Sequence, residues 1–352
     1  MRRLTLSILV TICFFTILTA VFFGEGGYLS LNIQVSGLPV DQRTVVLSTW
    51  GIPNFSNDFL ENPPNMLSDF AGNAYYTQPS SKGIARLEPL RSLVNEWSTP
   101  IDNSTVTPTG IAFDDIGNIY FASNVTNKIG RLDPGTGLLT EWSILTDSSN
   151  NGTISIASDL ATGSVFFVNS GNYKIGRLDP TSSSITEWIP INTSKNIGFR
   201  DIVFDPDNEI VFSLEDNGHV ITGLDIGSNT FTEWHLANNS SDVSDLVLGF
   251  NEIFFSDRGT NSIGRLDFAT DLITKWSIPK DNSTSGLTSV AFDSSTGGLY
   301  FANDETNKIG RLNPVTGEIT EWSIGTKPLA ITATPGGNLF FIDDMGRIGR
   351  LG

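Results

Sequence analysis

The chain of 352 residues is poor in the side chains that most often carry chemistry. It has one cysteine, Cys13, and two histidines, His219 and His235. Cys13 lies inside an N-terminal apolar run, so the folded part has no disulfide framework, thiol nucleophile or cysteine metal site. Basic residues are scarce too. Twenty-one Lys and Arg face 38 Asp and Glu, a formal charge of −17. Without a basic patch to meet phosphates, nucleic acid is excluded as a partner. The acidity gives a solvated surface that repels anionic membranes and favours cations. There is no G-x-S-x-G elbow, phosphate loop, H-E-x-x-H or C-x-x-C motif. GEGG at 24–27 follows the apolar run and lacks the strand–turn–helix setting of a phosphate loop, which makes it a linker.

What is present begins with that run. Arg2 and Arg3 precede twenty uncharged residues, 4–23, long enough to span a bilayer as a helix. The candidate cleavage points before Val21 and Glu25 lack the small-x-small pattern of a secretory signal. Residues 1–27 are therefore expected to be an uncleaved signal anchor, with a signal cleaved on secretion as the alternative, and 28–42 a short linker. The arginines would face the cytoplasm and the remainder would lie outside. Sequons at Asn54, Asn103, Asn124, Asn151, Asn192, Asn238, Asn239 and Asn282 fit an extracytoplasmic glycoprotein.

The stretch KIGRLDPGTGLLTEW at 128–142 recurs as KIGRLDPTSSSITEW at 174–188 and KIGRLNPVTGEITEW at 308–322. All seven tryptophans occupy one position of this repeat, at intervals of 47, 45, 46, 46, 42 and 46 residues. Each unit holds four strand signals, such as TGIAFDD, NIYFAS, KIGRLD and LLTEWSI, joined by short polar turns. Four antiparallel strands per period of this length predict a β-propeller blade. The second strand centres on an adjacent apolar pair: Tyr75-Tyr76, Tyr120-Phe121, Phe166-Phe167, Val211-Phe212, Phe254-Phe255, Tyr300-Phe301 and Phe340-Phe341. Neighbours on a strand point to opposite faces, so both faces must be covered, as they are between stacked blades.

The chain starts its repeats with a lone fourth strand in RTVVLSTWGIP, 43–53, and ends with three strands in ITATPGGNLFFIDDMGRIGRLG, 331–352. Pairing the two fragments completes a blade and closes the ring without exposed edges. Residues 43–352 are thus expected to form an all-β, seven-bladed propeller, monomeric by default because it buries its own edges. Within the motif, Gly130 allows close approach and Arg131 is expected to reach Glu141. The pairing would repeat as Arg86 with Glu96, Arg177 with Glu187 and Arg311 with Glu321. Lys275 replaces the acid in one blade, and ITGLD, 221–225, loses the arginine. Residues repeated in nearly every blade are scaffold.

Repeats reading aromatic-Phe, then N-K-I-G-R-L-D-P-x-T-G-x-x-T-E-W, resemble those of the virginiamycin B lyase (streptogramin lyase) family over roughly 43–352. The resemblance implies a seven-bladed propeller. It also implies a metal-assisted elimination that opens cyclic streptogramin B antibiotics, using histidine and carboxylates with Mg²⁺ near one mouth of the channel. Family blades commonly end the second strand in a carboxylate. Here the corresponding positions are Gln78, Ser123, Asn169, Leu214, Asp257, Asn303 and Asp343, two of them acidic. No histidine lies on a first strand, the strand that lines the channel. His235 follows Trp234 on an outer strand and is expected at the surface. His219, in LEDNGHV with Glu215 beside it, is the candidate base of the lyase reading. Asp257, Asn303, Asp304, Asp343 and Asp344 form a polar rim from three consecutive blades whose oxygens suit Mg²⁺ or Ca²⁺.

Two functions follow. The first is a membrane-anchored binding module whose blade-end loops contact a small molecule or a cell-surface protein. The alternative is a Mg²⁺-dependent carbon–oxygen lyase acting on a cyclic ester.

Overall fold

The computed structural model describes residues 16–23, 28–35, 46–53, 64–78, 81–99, 108–123, 126–144, 153–169, 174–190, 198–236, 240–279 and 286–351. Among these residues there is no helix, and so none long and apolar enough to cross a membrane. The chain forms seven antiparallel sheets arranged as blades. Blade 1 covers 66–98, blade 2 108–143, blade 3 153–188, blade 4 199–235, blade 5 243–277 and blade 6 287–323. Blade 7 takes its first three strands from Pro328–Ala333, Leu339–Asp343 and Arg347–Leu351. Its fourth is Val46–Gly51.

Closure follows the register Leu47 with Leu351, Thr49 with Gly349 and Gly51 with Arg347. The expected pairing of the two fragments is therefore present. It removes the open edge that an unclosed array would leave for aggregation. Each innermost strand touches its two neighbours around the circle.

The core is divided into seven wedges, one between each pair of adjacent blades. The wedge of blades 7 and 1, for instance, gathers Trp50, Ile52, Tyr76, Phe340 and Ile348. Both members of the second-strand pair are fully buried at Phe166 and Phe167, Phe254 and Phe255, and Phe340 and Phe341. Burying one phenylalanine side chain contributes about 1.5–3 kcal/mol. Two per blade, one on each face, explain why the sequence shows a doublet rather than alternation.

The glycine of the KIGRL strand is a packing requirement. A Cβ on Gly130 would lie 2.0 Å from the Phe121 ring, and the same overlap occurs at Gly176 with Phe167, Gly264 with Phe255, Gly310 with Phe301 and Gly349 with Phe341. Each ring lies flat over bare backbone on the neighbouring strand. Tryptophans staple the circumference. Trp142 donates its indole N–H to Ser183 at 3.1 Å, Trp188 to Asn229 at 2.7 Å and Trp234 to Asp271 at 2.7 Å. The acceptor lies at the outer turn of the following blade each time.

One expectation about the outer hairpin and one about a second strand need correction. Arg131 pairs with Thr140, and Gly130 pairs with Glu141. Alternate residues share a face, so the glutamate is on the side of Lys128, and Arg131 is on the side of Trp142. The ion pairs are accordingly Lys128 to Glu141 at 2.8 Å, Lys174 to Glu187 at 2.7 Å and Lys308 to Glu321 at 3.4 Å. Two of the arginines instead cover indoles, Arg131 over Trp142 at 5.7 Å and Arg86 over Trp97 at 5.5 Å, while Arg311 lies over the Tyr300 ring and Arg177 donates to Ser164 Oγ at 3.0 Å. The second correction is the end of the second strand in blade 4. Leu214 pairs with Ile221, as Val168 pairs with Ile175 in blade 3. The position equivalent to Asn169 is therefore Glu215, one residue later.

At the N-terminus, Thr16–Phe23 and Tyr28–Val35 are strands that extend the sheet of blade 7 to six. The helix expected over the apolar run is not shown among the described residues. Residues 1–15, with Arg2, Arg3 and Cys13, lie outside the described residues, as do all eight sequon asparagines.

Candidate functional site at the mouth of the ring

One mouth is built from the ends of second strands and the starts of first strands. Register places Phe199 beside Glu215, Val243 beside Asp257, Leu287 beside Asn303 and Pro328 beside Asp343. The residue after each strand end is pinned to the lead-in of its own blade. Asp216 N donates to Gly198 O, Arg258 N to Asp242 O, Asp304 N to Gly286 O and Asp344 N to Lys327 O. The polar residues expected to share a rim thus do occupy equivalent places in blades 5, 6 and 7. Glu215 adds a fourth blade to that set, missed by a one-residue shift.

These groups are largely committed to their own turns. Asp257 is fully buried and takes Lys275 Nζ at 2.6 Å, Asp242 N at 3.0 Å and Thr260 N at 3.1 Å. Burial alone would raise its carboxyl, but the hydrogen bonds from Lys275 and from the Asp242 amide overcome that and hold it below the usual carboxylate range. Lys275 stands where other blades have the glutamate of TEW. Its inward reach to Asp257 explains the exchange. Asp343 accepts from Arg347 Nε at 2.9 Å and Thr326 Oγ1 at 2.9 Å. Asn303 Oδ1 accepts from Thr306 N at 3.2 Å, and Asp344 Oδ1 from Lys327 N at 3.1 Å. Asp304 sits 4.0 Å from Arg258, which is also 3.9 Å from Glu305. Burial raises the Asp304 carboxyl, with Arg258 opposing. Among the described residues no three His, Cys, Asp or Glu side chains gather to hold a metal ion.

Glu215 and His219 belong to the turn between second and third strands of blade 4. Glu215 Oε2 accepts from Asn217 at 3.1 Å, and His219 N donates to Asn217 Oδ1 at 2.8 Å. The His219 carbonyl accepts Leu236 N, as Asn127 accepts Ile144, Asn261 accepts Ile278 and Asn307 accepts Ile324. His219 thus fills a structural turn position that is asparagine in three other blades. Its Nδ1 is buried and has no hydrogen-bond partner. Next to this turn, Arg200 and Asp242 pair at 3.1 Å. Burial raises the Asp216 carboxyl, and Arg200 opposes the rise. His235 is exposed on the outer strand, 3.4 Å from Glu233, as expected.

The innermost strands carry a feature that composition concealed. Asp201 and Asp245 occupy equivalent positions on the first strands of blades 4 and 5, opposite Leu214 and Ser256. Asp201 accepts from Ser155 Oγ at 3.0 Å, Ile202 N at 2.9 Å and Leu246 N at 2.8 Å. Asp245 accepts from Val290 N at 2.8 Å. The sequence carries the signal as an Asp at the same place in FRDIVF and VSDLVL.

No family model matches the sequence, and no curated protein is similar to it. Solved structures are. Virginiamycin B lyase from Staphylococcus aureus superposes with a TM-score of 0.73 at 22% identity, covering 87% of this chain and 98% of the enzyme. A streptogramin B lyase gives 0.75 at 22%, covering 88% and 97%. A catalytically inactive histidine-to-alanine variant of the S. aureus enzyme with quinupristin gives 0.72 at 21%, covering 87% and 98%. At such identities the likeness is one of architecture, and what this chain shares with these lyases is the seven-bladed propeller fold.

Proposed function

We propose that the chain is an extracytoplasmic propeller, tethered by its N-terminal apolar segment, that binds a small molecule or cell-surface protein at the mouth formed by the turns of blades 4 to 7. The observation that carries this reading is the occupation of the mouth's carboxylates by the protein's own groups. Lys275 neutralises Asp257 and Arg347 neutralises Asp343, while no histidine lies on an innermost strand. An elimination needs a base beside the carbonyl's α-proton and an electrophile for the enolate, and among the described residues the carboxylates of Asp257 and Asp343 are already taken by cations of the protein. The full chain, incubated with a streptogramin B and Mg²⁺, is expected to leave the ring intact by mass. Cross-linking on intact cells is expected to recover a partner, and recovery of none would count against the binding role.

The second reading is a Mg²⁺-dependent carbon–oxygen lyase with His219 as base and Glu215 beside it. Two observations favour it: the propeller shared with streptogramin lyases, and a His219 Nδ1 left without a partner. Ring opening that disappears in His219→Ala would replace the first reading with this one.

The tether rests on Arg2, Arg3 and the uncharged run 4–23. Lipid offers no partners to an open strand, so this run spans a bilayer only as a helix. Beside blade 7, residues 16–23 find those partners as an edge strand. Retention in the membrane fraction after high-pH washing is expected, and release by that wash would remove the tether from the reading.

A further inference from the structure

The inner rim of a propeller is a ring of open sheet edges, whose unpaired N–H and C=O groups must find partners across blades. Part of this ring uses hydroxyls. Ser68 Oγ donates to Ala333 O at 2.8 Å, and Ser244 Oγ to Leu287 O at 3.0 Å. Another part uses carboxyls. Leu246 N of blade 5 donates to Asp201 of blade 4, and Val290 N of blade 6 donates to Asp245 of blade 5. With Ser155 donating from blade 3, a chain of side chains crosses four blades.

Ser155, Asp201 and Asp245 hold equivalent positions on successive first strands. Ser155 Oγ lies 3.0 Å from Asp201 Oδ1, and Asp201 Oδ2 accepts the amide that follows Asp245 at 2.8 Å, so the same contact repeated across the next blade boundary brings the two carboxyls together. Such a contact between two acids needs a proton, because two carboxylates would only repel. The donor sets decide where it sits. Asp201 receives three protein donors besides its neighbour, which suits the ionised form. Asp245 receives fewer and is the one left to donate.

We propose that Asp201 and Asp245 share a single proton and form a proton-dependent clasp between blades 4 and 5, which loosens as the solution turns alkaline. Among the described residues the surroundings offer no substitute for the proton. The only other ionisable residues on the seven innermost strands are Arg200, Asp205 and Asp293. Arg200 turns to Asp242 at 3.1 Å. Asp205 and Asp293 cap turns at the far ends of their strands, through Asn208 and Thr296. On the second strands behind the pair, Asp257 is held by Lys275, and Glu215 lies at the mouth in contact with Asn217. Ser155 and Ser289 hold the equivalent first-strand positions in blades 3 and 6.

Burial, and then the neighbouring Asp201 charge, push the Asp245 carboxyl up to about 8. Burial raises Asp201 as well. A carboxyl raised in the folded state gives stability that is full below the unfolded carboxylate value of about 4 and is lost as pH rises through the folded one. The window is therefore from about pH 4 to about pH 8.

Urea unfolding of the full chain from pH 5 to pH 9 tests the clasp, with Asp245→Asn as the comparison. Asparagine keeps an N–H donor toward Asp201 without a proton to lose. The wild-type folding constant is expected to fall more steeply than that of Asp245→Asn, by up to about tenfold per pH unit for one shared proton. Parallel curves would overturn the proposal. Infrared spectroscopy of the wild type gives a test that needs no variant. A protonated-carboxyl C=O band is expected at pH 7 and should vanish by pH 10, and its absence at pH 7 would equally overturn the clasp.

Discussion

In blades 2, 3 and 6 a lysine on the third strand reaches outward to the glutamate of the fourth, at 2.8, 2.7 and 3.4 Å. In blade 5 the polarity is reversed. The lysine stands on the fourth strand and reaches inward to Asp257 at 2.6 Å. The repeated pairs keep both partners partly in water, with side-chain exposures of 25% and 13% for Lys128 and Glu141. The reversed pair serves a carboxylate that is 0% exposed. The first kind decorates a hairpin that packing already holds. The second compensates a charge brought to the mouth and stripped of solvent. Where the blade pattern breaks, the break marks a group that could not stand there alone.

The comparison can be broken most forcefully at Lys275. Lys275→Met should leave Asp257 as a buried charge without its cation, a loss of about 3–5 kcal/mol in urea unfolding. The Asp257 carboxyl is held low, so its contribution is present above the unfolded carboxylate value and is lost as pH falls through the folded one. That acid limb should be absent in the variant. A smaller effect is expected from Gly130→Ala, where the added methyl meets the Phe121 ring. Overpacking of this kind costs about 1–3 kcal/mol, read as a lower midpoint in thermal unfolding. Blade 1 already carries Ala85 opposite Tyr76, so Ala85→Gly should not show the mirror-image gain. Trp188→Phe removes the indole bond to Asn229 and is expected to lower stability by about 1 kcal/mol. The smallest change belongs to Lys128→Met, at or below about 1 kcal/mol for a pair of this exposure. A loss at Lys128 equal to that at Lys275 would erase the distinction between decoration and compensation.

The outer hairpins were legible because they repeat. Seven tryptophans on one period, the aromatic doublet and the split terminal blade are covalent facts of the chain, and they imply blade number and closure directly. What escaped was register. Arg131 and Glu141 lie on opposite faces because the turn pairs Leu132 with Leu139, and nothing in DPGTG distinguishes that pairing from its one-residue neighbour. A one-residue slip exchanges every face. The same slip hid Glu215 behind Leu214, since blade 4 lacks the N-K-I-G landmark that fixes strand ends in blades 2 and 6. The rim residues Asp257, Asn303, Asp304, Asp343 and Asp344 were found, but their commitment to Lys275, Arg347 and local backbone depends on side-chain reach that strings of letters do not contain.

By itself the sequence determined a ring: its period, its seven units, its closure by the first and last strands, and a glycine wherever a ring must lie on bare backbone. Only the tertiary structure decided which residues of different blades meet. Ser155, Asp201 and Asp245 stand more than forty residues apart along the chain, and they become neighbours because bulged first strands turn equivalent positions toward each other across blade boundaries. Strand period is a local property of the chain. Contact across blades, and the proton it traps, is a property of the closed circle.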